Sequence, residues 1–188
     1  MRGCPRRSHR GSPWVNERKG CKLAELTNLE AKLGEVIGLA QAGQAATKKV
    51  KTLARKEKQK DLVETLDKMA QEAAETAKRG TEVAGRFEGK KSAIQKKARE
   101  TKEKASEMMD TYLDDEPDAL DGFEFLTMAE AGEVGHWTVV EKLNEDAGNR
   151  DVQQLVEWAK PIQERHFKQA IEGSVVLARE EDPYETAS

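Results

Sequence analysis

The sequence is poor in cysteine, proline and aromatic residues: it has two cysteines, five prolines and 5% Phe, Trp and Tyr. Cys4 and Cys21 both lie near the start of the chain, which excludes a disulfide framework and a zinc module built on cysteine pairs. So few aromatics argue against an aromatic-rich β-sandwich. No stretch approaches the roughly 18 apolar residues of a membrane span. The opening "MRGCPRRSHRGSPWVNERKG" is basic, but no apolar segment follows it, so it does not read as a secretory signal. No phosphate-binding loop, nucleophile triad or cysteine metal cluster occurs. The formal net charge of −3 gives no general attraction for nucleic acid or anionic membrane. A cytoplasmic protein is the expectation, with neither membrane nor nucleic acid as partner.

What the chain does have is charge and helical periodicity. Charged residues make up 36% of its 188 residues. That length suits one domain with a sizeable core. Residues 1–22 read as a disordered basic tail, 23–179 as a helical domain, and 180–188 as a flexible acidic end.

A first helix is expected over about 23–54, where Leu26, Leu29, Leu33, Ile37 and Ala40 follow a helical period. Gly34, Gly38 and Gly43 weaken its intrinsic preference and fit places where a neighbouring backbone comes close. A turn is expected within the basic run 48–60. A second helix starts near Asp61, with Asp61 as its cap and Glu64 as the box partner. Residues 88–113 either continue it or form a segment of their own. "DDEPDALD" at 114–121 is the clearest boundary. Helices over 119–146 and 151–179 follow, joined by a short polar turn that favours antiparallel neighbours.

The chemistry rests on few residues. Glu133 and His136 lie three apart, about 60° around an ideal helix, so both can reach one ion. His136 shares a face with Phe125, Ala129, Val140 and Leu143, and is expected to point to the core, with Glu133 at the edge of that face. On the last helix, "PIQERHF" places His166 three beyond Gln163, near the apolar stripe of Val152, Leu155, Ala159 and Ala170. Two imidazoles with one or two carboxylates suit iron, manganese or zinc. Histidines on apolar helical faces also serve simply as packed residues, so a metal-free bundle for structure or protein interaction stands beside the metal reading. Pro161, one turn before His166, removes a helical hydrogen bond and can kink the helix there.

"DALDGFEFLTMAEAGEVGHWTVVEKL" and "LVEWAKPIQERHFKQAIEGSVVLAREEDP", with "LTNLEAKLGEVIGLAQAG" before them, resemble the ferritin-like superfamily, in particular its small uncharacterised bacterial members. The resemblance implies an all-α, antiparallel four-helix bundle with a long connection between helices 2 and 3. It also implies a homo-oligomer, such as a dimer. In metal-binding members, carboxylates and histidines meet at the bundle centre. Carried over residue by residue, Glu133 and His136 match one Glu-x-x-His element. His166 matches the histidine of another, with Gln163 at the glutamate position as a weak ligand or a donor behind the ligands. Glu30 is the expected helix 1 ligand, ahead of Glu35. Helix 2 has no histidine, and Glu72 or Glu75 would serve only if the helix were rotated. A mononuclear or degenerate iron site is therefore implied, with manganese or zinc as alternatives and no metal if the site is degenerate. Oxidation of Fe(II) by oxygen or peroxide is the reaction that the resemblance attaches to such a site.

Overall fold

A computed structural model describes residues 24–113 and 116–184. The expected basic tail, with both cysteines, lies outside the described residues. Five helices form: α1 (Asn28–Lys56), α2 (Lys60–Ala84), α3 (Lys91–Tyr112), α4 (Ala119–Ala147) and α5 (Arg150–Ala178). The fold is all-α, as the helical periodicity implies, but it is not a plain four-helix bundle.

Local sequence sets the helix ends. Thr27 and Glu30 form a reciprocal capping box on α1, as Asp118 and Asp121 do on α4. Asn149 caps α5 through its side chain, which accepts from the amides of Asp151 and Val152. Gly148, at φ 62°, ends α4 in the left-handed region, where a residue without Cβ is least strained. The expected cap at Asp61 does not form. The helix begins one residue earlier, behind a turn in which Lys58 has φ 64°, so Asp61 lies inside the first turn of α2.

α1, α2, α5 and α4 pack in that order around a closed ring. Two apolar clusters fix their directions. One joins Leu33 and Ile37 of α1, Val83 of α2, Trp137 and Val140 of α4, and Val152 and Leu155 of α5. The other joins Val50 and Leu53 of α1, Leu66 and Met69 of α2, Phe123 and Leu126 of α4, and Ala170 and Leu177 of α5. The start of α1 thus meets the ends of α2 and α4, and every ring neighbour is antiparallel. α2 and α4, at opposite corners, run the same way, so the chain must return the full length of the bundle between them.

The helix α3 makes that return, so that residues 88–113 form a segment of their own rather than a continuation of α2. It lies outside the ring and packs chiefly on α1. Its apolar side is narrow: Ala93, Ile94 and Ala98 are buried, and most of the rest is solvated. The glycines of α1 make the approach possible. A Cβ on Gly34 would lie 2.8 Å from the carbonyl oxygen of Ile94, and one on Gly38 would lie 2.3 Å from that of Ala98. Phe125 of α4 meets Tyr112 near the other end of α3, with ring centroids 5.6 Å apart.

A buried acid and imidazole layer at the bundle waist

Between the two apolar clusters the core changes character. Glu130 and Glu133 of α4, with Gln163 and His166 of α5, are all buried there. Residues 123, 126, 130, 133, 137, 140 and 144 recur at spacings of three and four and form the inward face of α4. This rotation puts Glu133 inside and leaves His136 half-exposed, the reverse of the order expected from the apolar residues alone. α1 makes room rather than supplying a ligand: a Cβ on Gly43 would stand 2.6 Å from Glu133 Oε1.

The layer is ordered from its α2 side. Arg165 bonds Glu72 Oε1 at 2.7 Å, and His166 Nε2 lies 2.8 Å from Glu72 Oε2. Burial pushes the Glu72 carboxyl up, but hydrogen bonds from His166 and Arg165, with their charges, outweigh it and leave Glu72 below the ordinary carboxylate value. Ionised Glu72 can only accept, so the proton sits on Nε2 of His166. Burial also holds the imidazole below its usual value, against the pull of Glu72. A neutral His166 therefore carries its lone pair on Nδ1. That atom faces Glu130, whose Oε2 is 3.8 Å away.

The α4 carboxyls are in the opposite situation. Burial pushes Glu130 up to about 8, although Gln163 donates a hydrogen bond to it. Burial and the neighbouring charge of Glu130 push Glu133 well above the usual range. No hydrogen bond or ion pair to Glu133 forms among the described residues. A buried carboxylate without a partner is costly, so each acid must hold a proton or meet a cation.

The remaining expected ligands lie elsewhere. Glu30 is engaged in the capping box, with Lys90 at 3.8 Å. At about 1.5 Å per residue it stands roughly 20 Å along α1 from Gly43. His136 Nδ1 is 3.4 Å from Glu35, whose carboxylate also pairs with Lys32 and Lys97. Burial and the charge of Lys32 lower the His136 value, Glu35 pulls it up, and the net shift is downward. Glu75 is bound to Arg79 and Lys78 on the outer side of α2. The waist thus unites Glu133, Gln163 and His166, and leaves out Glu30 and His136. It adds Glu130, which sequence reasoning missed, and Glu72, which it set aside. The signal for both was available: Glu130 continues the inward spacing of α4, and Glu72 lies three beyond Met69 and four before Thr76, on the same side of α2.

Two-metal chemistry does not fit this layer, because α1 offers Gly43 and α5 offers Gln163 where further acids would be needed. One ion fits the donor chemistry better. Glu130, Glu133 and Nδ1 of His166 supply two carboxylates and an imidazole lone pair, and a carboxylate on the far nitrogen is the usual support of a metal-bound histidine. As the side chains stand, no three His, Cys, Asp or Glu residues among those described are grouped closely enough to hold an ion.

Fold and waist together define an all-helical bundle protein with a buried layer of paired acids and an oriented imidazole. Comparison with known proteins gives no match to a family model, to a curated protein or to a solved structure. Among the described residues no helix is long and apolar enough to cross a membrane.

Proposed function

We propose that this is a ferritin-like bundle that binds a single divalent transition-metal ion at its waist, through Glu130, Glu133 and His166. Glu72, held by Arg165, acts as a positioning residue that fixes the tautomer and direction of His166. The observation that carries this reading is the Glu130–Glu133 pair, two neighbouring buried carboxyls, with Glu130 facing the imidazole lone pair and no cation against Glu133 among the described residues. A bound divalent ion would neutralise both acids and supply Lewis acidity. Gln163 would have to release Glu130 for this to happen. Iron is the ion that the resemblance implies. The oxidation of Fe(II) that it also implies requires an iron site first, so binding is the step to test.

A metal-free bundle is the second reading, favoured by the hydrogen bonds that already engage Glu72, His166 and Glu130. In it both acids stay protonated and the waist serves only to align the helices.

Calorimetric titration of chelator-treated protein with Mn(II), Zn(II) and, without oxygen, Fe(II) separates the two. The metal reading predicts one ion per chain. It predicts that His166→Ala and Glu130→Gln each abolish binding, while His136→Ala leaves it unchanged. No binding by the wild type, or equal binding by all variants, would leave the metal-free bundle.

A further inference from the structure

A cleft of ≈ 180 Å³ opens between α1, α3 and α4 and ends on the Glu133 carboxyl. Its walls include Leu39, Ala42, Met109, Phe125 and Ala129. Cavities of about 150 Å³ are large enough to hold benzene. The inner end is different in kind. Glu133 is only 5% exposed, lines the cleft, and has neither a hydrogen bond nor an ion pair among the described residues. Glu130 behind it adds a second acid. At the rim, His136 stands beside Glu35, whose charge is met by Lys32 and Lys97. The buried acid without a partner is therefore at the inner end, where the apolar walls stop, and it holds a proton until a cation meets it.

We propose that this cleft is a binding site for a small organic amine, with an aromatic or short aliphatic body between α1, α3 and α4 and its ammonium group on Glu133. The body replaces water along the walls, and the head supplies the cation that the carboxyl lacks. A carboxylate head would be buried against acids with no cation to offset its desolvation, and a hydroxyl makes a weaker, uncharged hydrogen bond. This does not rest on the metal reading, although an ion and an ammonium group would compete for Glu133.

Three probes of one shape test it on the full chain in chelator: benzylamine, benzyl alcohol and benzoate, each titrated by calorimetry or ligand-observed NMR. Benzylamine is expected to bind about tenfold more tightly than benzyl alcohol, the difference of roughly 1.4 kcal/mol that a charged partner adds to one hydrogen bond. Benzoate is expected not to bind. Glu133→Gln should bring benzylamine to the level of the alcohol while leaving the alcohol unchanged, which also shows that the cleft is intact. Gly132 lines the cleft and has nothing within 4 Å of an added Cβ, so Gly132→Leu should fill the space without unfolding the helix, and abolish both. Failure of benzylamine to bind would overturn the proposal. So would equal affinity for amine and alcohol, amine binding unchanged in Glu133→Gln, or binding that survives Gly132→Leu.

Discussion

Replacing Gly38 by alanine sets two well-measured effects against each other. In a helix interior, alanine is favoured over glycine by about 1 kcal/mol. That alone predicts a more stable protein. The structure predicts the opposite. A Cβ at position 38 would lie 2.3 Å from the Ala98 carbonyl oxygen and 2.9 Å from Thr101 Cβ, both on α3. The nearer obstacle is backbone, so no side chain can swing away, and α3 must shift outward by about 1 Å to restore ordinary contact. Overpacking of this kind costs about 1–3 kcal/mol, and rigid backbone places Gly38 toward the upper end. After subtracting the propensity gain, a net loss of about 1–2 kcal/mol is expected. For a chain of this size that lowers the melting temperature by roughly 2–8 °C. Gly135 is the internal control. It is an exposed interior residue of α4 with nothing within 4 Å of an added Cβ, so Gly135→Ala should gain about 0.5–1 kcal/mol. Urea and thermal unfolding followed by circular dichroism measure both variants. Equal stabilisation by the two would refute the packing of α3 on α1, and with it the helical return between α2 and α4.

Two other outcomes follow from the waist in the metal-free protein. The folded state keeps a proton on Glu130 up to about pH 8, whereas the unfolded chain releases it near the ordinary value of 4.5. Stability from this group is therefore full below about pH 4.5 and is lost as pH rises toward 8, by at most about 1.4 kcal/mol per pH unit. Glu133, His166, Glu72 and Arg165 also face the layer and shape the wild-type profile, so the comparison is with Glu130→Gln, which removes the Glu130 charge and with it the repulsion on Glu133. Its stability relative to wild type should grow between pH 5 and 8 in urea unfolding, and a constant difference would contradict the burial. Removing the support of His166 with Glu72→Ala should cost about 1–3 kcal/mol, because the buried imidazole loses the half-buried partner that it shares with Arg165. Unchanged urea midpoints would show that the pair is not formed.

The helical class and most of the boundaries were legible because long stretches keep one apolar period. Val152, Leu155, Ala159, Ala170 and Leu177 fix the face of α5 with little ambiguity, and His166 falls on it. α5 also runs unbroken through Pro161, whose ring sits on the exposed side. α3 was hard to read because only Ala93, Ile94 and Ala98 of its sequence are buried; a helix lying on the outside of a bundle has little apolar stripe to show. Gly34 and Gly38 were the better clue, since such glycines on the face of α1 foretell a close backbone. The waist was misread for a related reason. Two glutamates interrupt the inward stripe of α4, and an apolar count rotates the helix toward Phe125 and Ala129, bringing His136 in and moving Glu133 to the edge of the face. The acids that define the layer were therefore what concealed it.

The central claim is that the waist holds one metal ion on Glu130, Glu133 and His166. Anomalous diffraction from crystals grown with Mn(II) or Fe(II) tests it most directly. One anomalous peak lying between those three side chains, and none beside His136 and Glu35, is the predicted result; no peak at the waist in crystals saturated with metal would contradict it.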